Sequence, residues 1–248
     1  MTYCVGMLVE AGLVMMADTR TNAGVDDISV YRKLHMLADG PDRLVFCATA
    51  GNLSTTQMVL AQLAEGLASL QHDDPPRRIS DMPSMFRIAQ LVGEAVQQAR
   101  FSIGRALEAA SVDAGVSMLV GGRIGDGPLA LYRLYPEGNF IECQREQPFL
   151  QIGETKYGKP ILDRALQYAT ALEETVKVGL ISFDSTLRSN LAVGRPIDVV
   201  VVPADAREPV IQRRIGTDDP YFNDLSVRWS LMLNEARATI PDPPFMMG

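Results

Sequence analysis

Residues 2–9 (TYCVGMLV) and 13–20 (LVMMADTR) are two strand-like runs separated by Glu10-Ala11-Gly12, and no other feature constrains the fold as much. Two such runs around a short glycine-containing loop predict a β-hairpin. Antiparallel pairing is therefore set at the start of the chain. Residues 28–37 (ISVYRKLHML) and 43–49 (RLVFCAT) predict a second pair, with Asp39-Gly40-Pro41-Asp42 as its turn.

The period then changes. Leu60, Leu63, Leu67 and Leu70 form one helical face. Met85, Ile88, Val92, Val96 and Ala99 form another, after the breaker stretch His72–Arg78. Strands return at 115–122, 128–135 and 139–144, with turns at Gly125-Asp126-Gly127 and Pro136-Glu137-Gly138. A helix opening near Pro160 carries Ile161, Ala165, Leu166 and Ala169, and the next carries Leu172, Val176, Leu180, Phe183 and Leu187. Strands at 197–202 and 209–215 follow. A last helix near 222–236 has Leu225, Trp229, Met232 and Ala236 on one side. Three prolines keep the tail IPDPPFMMG out of helix.

Strands that neighbour one another in sequence make mostly antiparallel sheets, whereas a doubly wound parallel sheet alternates strand and helix. Two strand blocks and two helix pairs predict an α+β fold of two stacked sheets with helices on both outer faces. No linker, low-complexity segment or short repeat divides the chain. One domain over 1–248 is expected, with the last helix and Pro-rich tail, from about 220, as an extension.

Charge narrows the function. Lys and Arg number 23 against 30 Asp and Glu, a formal charge of −7. Without a basic block such a chain is a poor binder of nucleic acid or anionic membrane. Cys4, Cys47 and Cys143 are too widely spaced for a zinc site and odd in number, so buried free thiols in a reducing cytoplasm are expected. Residues 1–17 are apolar, but no basic segment precedes them and Glu10 interrupts the run, so no signal peptide is read. No uncharged stretch reaches membrane-spanning length. The two histidines, His35 and His72, sit in no recognisable triad setting.

Two glycine motifs fail their own tests. Gly153-Glu154-Thr155-Lys156-Tyr157-Gly158-Lys159-Pro160 nearly matches a phosphate loop, but Pro160 lacks the hydroxyl for magnesium and suits a helix start. Gly121-Gly122 and Gly125-x-Gly127 lie between strands, not between strand and helix, and read as turn glycines.

The N-terminus carries more chemistry. Thr2 follows Met1 directly, and threonine is small enough for Met1 to be removed. Thr2 would then hold a hydroxyl nucleophile and an amine of pKa ~8 on one residue. If the hairpin turn centres on Ala11, position 2 faces 20 and position 4 faces 18, so Thr2, Cys4, Asp18 and Arg20 share a face. Lys33 on the next strand can then keep the amine neutral by like-charge repulsion, with Asp18 holding the lysine in place. The same spacing also fits an ordinary surface pair and a strand that merely begins at Thr2.

Thr2, Ala17-Asp18-Thr19-Arg20, Arg32-Lys33 and Ala50-Gly51-Asn52 together resemble the proteasome β-subunit superfamily. The likeness is greatest to its bacterial ancestral group, called Anbu. It rests on TYCVGMLV, ADTRTNAGVD, FDSTLRSNLAVGRPID and FNDLSVRWSLMLNEARATIPDPPF, in order along the chain. The resemblance implies a four-layer αββα sandwich and an N-terminal-threonine hydrolase without cofactor or metal. It implies Thr2 as nucleophile and base, Asp18 and Lys33 as its supporting pair, and the Gly51 N–H as oxyanion donor. It implies Asp184 and Ser189 as groups orienting the N-terminus, and Thr21, Thr49 and Leu53 as lining the specificity pocket. It also implies self-association into a ring or ring-like oligomer acting on peptides, and says nothing of an ATP-driven unfoldase. The Trp229 helix and Phe245-Met246-Met247 are candidates either for subunit contacts or for covering the chain's own core. Two departures stand out. The family's Gly-Ser-Gly-Ser segment reads Gly153-Glu154-Thr155-Lys156, and its Asp-x-x-Ser-Gly-Gly stretch reads Asp184-Ser185-Thr186-Leu187-Arg188-Ser189-Asn190. A small-amide or isopeptide hydrolase, a non-catalytic ring subunit and a phosphate-loop NTPase are the rival readings.

Overall fold

In the computed structural model the first hairpin pairs β1 (Tyr3–Val9) with β2 (Gly12–Asp18). The described residues are 1–22, 28–40, 42–69 and 74–246. The hairpin register is Cys4 with Ala17 and Val9 with Gly12. This is one residue away from the expected pairing of 4 with 18, because a two-residue turn, not a three-residue one, closes it. A one-residue slip exchanges the faces of a strand. Cys4 accordingly lies with Ala17 between the sheets, and Asp18 falls out of the expected shared face.

Short β3 (Arg20–Asn22) pairs with β4 (Ile28–Val30) in a separate ribbon. Then come β5 (Leu34–Gly40) and β6 (Arg43–Gly51). The single strand expected over 28–37 is therefore split, with residues 31–33 outside both strands. The helices α1 (Leu53–Glu65) and α2 (Met85–Ala109) follow. Leu67 lies beyond α1, bridged to Arg77, and Leu70, His72 and Pro41 fall outside the described residues. The second strand block is β7 (Val116–Ile124), β8 (Ala130–Leu134), β9 (Phe140–Glu142) and β10 (Phe149–Gly153). Gly121 and Gly122 lie inside β7, not in a turn. The chain ends through α3 (Lys159–Ala165), α4 (Leu172–Ser189), β11 (Ile197–Pro203), β12 (Ile211–Ile215) and α5 (Pro220–Thr239). The α3 helix stops before Ala169, shorter than its apolar spacing suggested.

Among the described residues one sheet runs β10-β1-β2-β11-β12 and another β5-β6-β7-β8-β9, all antiparallel. Alternation sorts β2 between two cores. Leu13, Met15 and Ala17 meet Phe46, Ala48, Leu119 and Leu131 from the other sheet. Val14 and Met16 meet Leu162, Leu180 and Phe183 of α3 and α4. A strand covered on both faces must be apolar throughout, as β2 is up to Asp18. On the far side, Ile88, Val92, Val96 and Ala99 of α2 pack with Val59 and Leu63 of α1 against Val45, Met118 and Val120. The expected four-layer αββα sandwich is thus present.

The strand β10 was not anticipated. It is the edge of the first sheet, with Tyr3 opposite Gly153 and Met7 opposite Phe149. Through it the former phosphate-loop glycines acquire packing reasons. A Cβ on Gly158 would stand 2.3 Å from the Tyr3 hydroxyl.

Candidate active site

The end of β2 places Asp18 beside the start of β1. Asp18 is fully buried, and its Oδ1 accepts a hydrogen bond from the backbone N of Tyr3 at 3.0 Å. Continuing the hairpin register sets these two residues opposite one another. Lys33 enters from the segment between β4 and β5. Its Nζ donates to Asp18 Oδ1 at 2.9 Å and to the Arg20 carbonyl at 2.5 Å. The backbone N of Gly194 donates to Asp18 Oδ2 at 3.3 Å. Burial pushes the Asp18 carboxyl above its ordinary range, while the Lys33 ammonium and the two N–H groups pull it down. The break at residues 31–33 is what frees Lys33 to turn inward. The expected pair is therefore assembled, although not through the shared hairpin face that suggested it.

Gly51 closes β6. In an antiparallel strand successive N–H groups point to alternate neighbours. Thr49 N donates to Lys33 O on the β5 side, and Asn52 N to Gly115 O on the β7 side. Gly51 N therefore points to the β5 side, beyond Leu34 where β5 begins. A non-glycine residue is unsuited here, since φ is +128° and a Cβ would stand 2.3 Å from Gly115 O. Asn52 caps α1, its side chain accepting from Thr55 N at 3.1 Å. Leu53 opens that helix and is half-buried, Thr49 is buried next to Lys33, and Thr21 lies on the β3–β4 ribbon.

Thr2 itself is half-buried, and its carbonyl accepts from Glu154 N at 2.6 Å. Gly153 stands directly over it: φ is +81° and a Cβ would lie 2.0 Å from Thr2 O. Glu154 is buried, accepting from Lys156 N at 3.1 Å and from Asn190 Nδ2 at 3.0 Å. Asp184 and Ser189 are placed differently from the expectation. Asp184 accepts from Arg188 and from Ser226 of α5, on the wall of a cavity of about 370 Å3 also lined by Leu187 and Asn223. Ser189 is exposed at the end of α4. The groups hydrogen-bonded around Thr2 are thus Glu154 and, through it, Asn190. The only signal for them in the sequence was the departure at Gly153-Glu154, because their meeting needs β10 and the end of α4 to converge.

Cys4 and Cys47 are fully buried behind the site, and Cys4 Sγ donates to Thr49 O at 3.6 Å. Burial pushes the Cys47 thiol up to about 12 and the Cys4 thiol higher. Among the described residues no group of three His, Cys, Asp or Glu side chains is arranged to hold a metal ion. No described helix is long and apolar enough to cross a membrane.

Comparison with known proteins agrees with this fold. A family model described as proteasome subunit matches residues 2–202, ending at β11. The proteasome subunit beta of Haloquadratum walsbyi is 25% identical over 211 residues, covering 84% of this chain and 75% of the relative. The structure of an Anbu (Gly-1) mutant from Hyphomicrobium sp. strain MC1 superposes with a TM-score of 0.88 at 43% identity, over 98% of this chain and 99% of that one. Anbu (ancestral beta-subunit) from Yersinia bercovieri gives 0.85 at 39% identity, over 97% and 98%. A structure described as the helical assembly of the Anbu complex from Pseudomonas aeruginosa gives 0.86 at 41% identity, over 98% of both chains.

Proposed function

The chain belongs to the proteasome subunit family and resembles its Anbu members along nearly its whole length, and from that premise we propose that it is a threonine-type amide hydrolase, a self-compartmentalising peptidase. Loss of Met1 leaves Thr2 with a free amine. That amine takes the Thr2 hydroxyl proton as Oγ attacks a substrate carbonyl. The Gly51 N–H stabilises the oxyanion; the C–N bond then breaks, the Thr2 ammonium gives its proton to the leaving amine, and water hydrolyses the resulting ester with the Thr2 amine again as base. Asp18 and Lys33 keep the amine neutral in its resting state. Thr21, Thr49 and Leu53 line the substrate pocket. Asp184 acts indirectly, through its contact with Ser226 of α5.

One observation carries the reading: a buried lysine–aspartate pair at 2.9 Å, whose aspartate also holds the N–H of the residue after Thr2. A charge pair withdrawn from water costs desolvation that surface pairs avoid, so its presence one residue from the nucleophile calls for a functional reason.

Subunits of this chain associate with one another, and α5 supplies a contact. Val227, Leu231, Met232 and Leu233 are more than half exposed, as are Ile240, Phe245 and Met246 beyond the helix. They do not cover the chain's own core, as Phe222 and Leu225 do. Met247 falls outside the described residues.

Intact mass of untagged protein before and after a β-lactone tests the chemistry. The expected result is loss of Met1 and one adduct that disappears in Thr2→Ala. Retained Met1 with no adduct would leave a non-catalytic ring subunit as the better reading. Peptide-library digestion then separates peptides from small amides as substrates.

A further inference from the structure

The wall facing Thr2 is built by two residues whose side-chain chemistry the proposed mechanism does not use. Tyr3 pairs with Gly153, so continuing the register sets Thr2 opposite Glu154. Glu154 N already donates to Thr2 O. That bond ties the Thr2 main chain to Glu154 one residue beyond the last ladder pair, Tyr3 with Gly153. Glu154 is 5% exposed, and its carboxylate is held by two neutral donors, Lys156 N and Asn190 Nδ2. Asn190 is itself fixed, its Oδ1 accepting from Ala192 N and its N donating to Thr186 O. Neither of the two donors to Glu154 is a charged group.

We propose that Glu154, clamped by Asn190, is the positioning residue for the Thr2 amine, fixing its direction through the main chain and countering Lys33 through its carboxylate. This rests on the reading that Thr2 is the nucleophile. The two charges act in opposite senses. Lys33 disfavours the ammonium form of Thr2, and Glu154 favours it. Glu154 thereby keeps the ammonium that forms during attack in place until it returns its proton to the leaving group. Asp18, Arg20 and Lys156, which bond to Tyr3, Lys33 and Glu154 here, are unchanged in the variants below.

The test is the pH profile of Thr2 acylation by a β-lactone, read by intact mass. In that step Oγ bonds to the lactone carbonyl carbon, the ring C–O bond breaks, and the proton carried by the amine ends on the released alkoxide. Glu154→Gln keeps shape and removes charge. Its acidic limb should move to lower pH by about one unit, with a slower plateau and little change in the lactone concentration for half-saturation. Asn190→Ala, which leaves Glu154 in place but loosens it, should shift the limb in the same direction by less. A merely structural role would alter melting temperature without moving the limb. A Glu154→Gln profile superimposable on that of the parent, with Thr2 still acylated, overturns the inference and leaves the nucleophile reading standing. If Glu154→Gln fails to fold, an unmoved limb in Asn190→Ala does the same. Failure of the parent protein to acylate at any pH overturns both.

Discussion

Lys33 Nζ stands 2.9 Å from Asp18 Oδ1, with 8% of the lysine side chain and none of the aspartate side chain exposed. The pair joins three parts of the chain, because Asp18 also accepts from Tyr3 and Gly194 and Lys33 also donates to Arg20. Such a pair contributes little net stability as a whole, yet removing one partner strands a charge in a dry site.

Lys33→Met and Asp18→Leu should each lower unfolding stability by about 3–5 kcal/mol. The double variant should lose clearly less than the sum, because neither charge is then left alone. Urea denaturation of the three variants checks this. All three should fail to form the β-lactone adduct.

Gly153→Ala should abolish the adduct, because the new Cβ meets the Thr2 carbonyl at a backbone angle of φ +81°. The strain should also cost about 1–3 kcal/mol of stability. Gly40→Ala is the control, since nothing lies within 4 Å of a Cβ there. It should keep both adduct formation and melting temperature.

Alkaline pH should weaken the fold. Tyr3 and Cys47 are each pushed up to about 12 by burial. In the unfolded chain they ionise at about 10 and about 8.5. A folded pKa above the unfolded one contributes stability that is complete below the unfolded value and lost as pH rises through the folded value. Melting temperature should therefore fall between about pH 8.5 and 12, and less steeply in Cys47→Ala. The native thiols should resist alkylation at pH 8 and react after denaturation.

Leu231→Glu combined with Met232→Glu should reduce the sedimenting mass toward that of one chain while leaving the melting temperature nearly unchanged. Both side chains are more than half exposed on α5, so their charges fall on no internal core. An unchanged mass would remove α5 from the assembly contact.

The layers of this protein were legible in its residue periods. The two-residue period in Leu13, Met15 and Ala17 against Val14 and Met16 encodes a strand between two cores, and Ile88, Val92, Val96 and Ala99 encode a helix over one of them. Thr2, Asp18, Lys33 and Gly51 were legible as a set only through resemblance, because spacing alone also fits a surface pair. The resemblance offered Asp184 as a group orienting the N-terminus; its carboxylate accepts from Arg188 and Ser226, and one-dimensional alignment does not say which turn of α4 faces Thr2.

Local periodicity and turn residues by themselves determined most of the strands and helices and how they stack, because burial of apolar faces is a short-range pattern written in every few residues. Tertiary structure alone decided the one-residue register of the first hairpin, the break that releases Lys33, the pairing of β10 with β1, and hence the meeting of Gly153, Glu154 and Asn190 with Thr2. The contacts linking Thr2, Gly153, Glu154 and Asn190 join positions 36 to 152 apart in the chain. Many alternative pairings satisfy the local pattern equally well, and only simultaneous packing of both sheets and the five helices selects one of them.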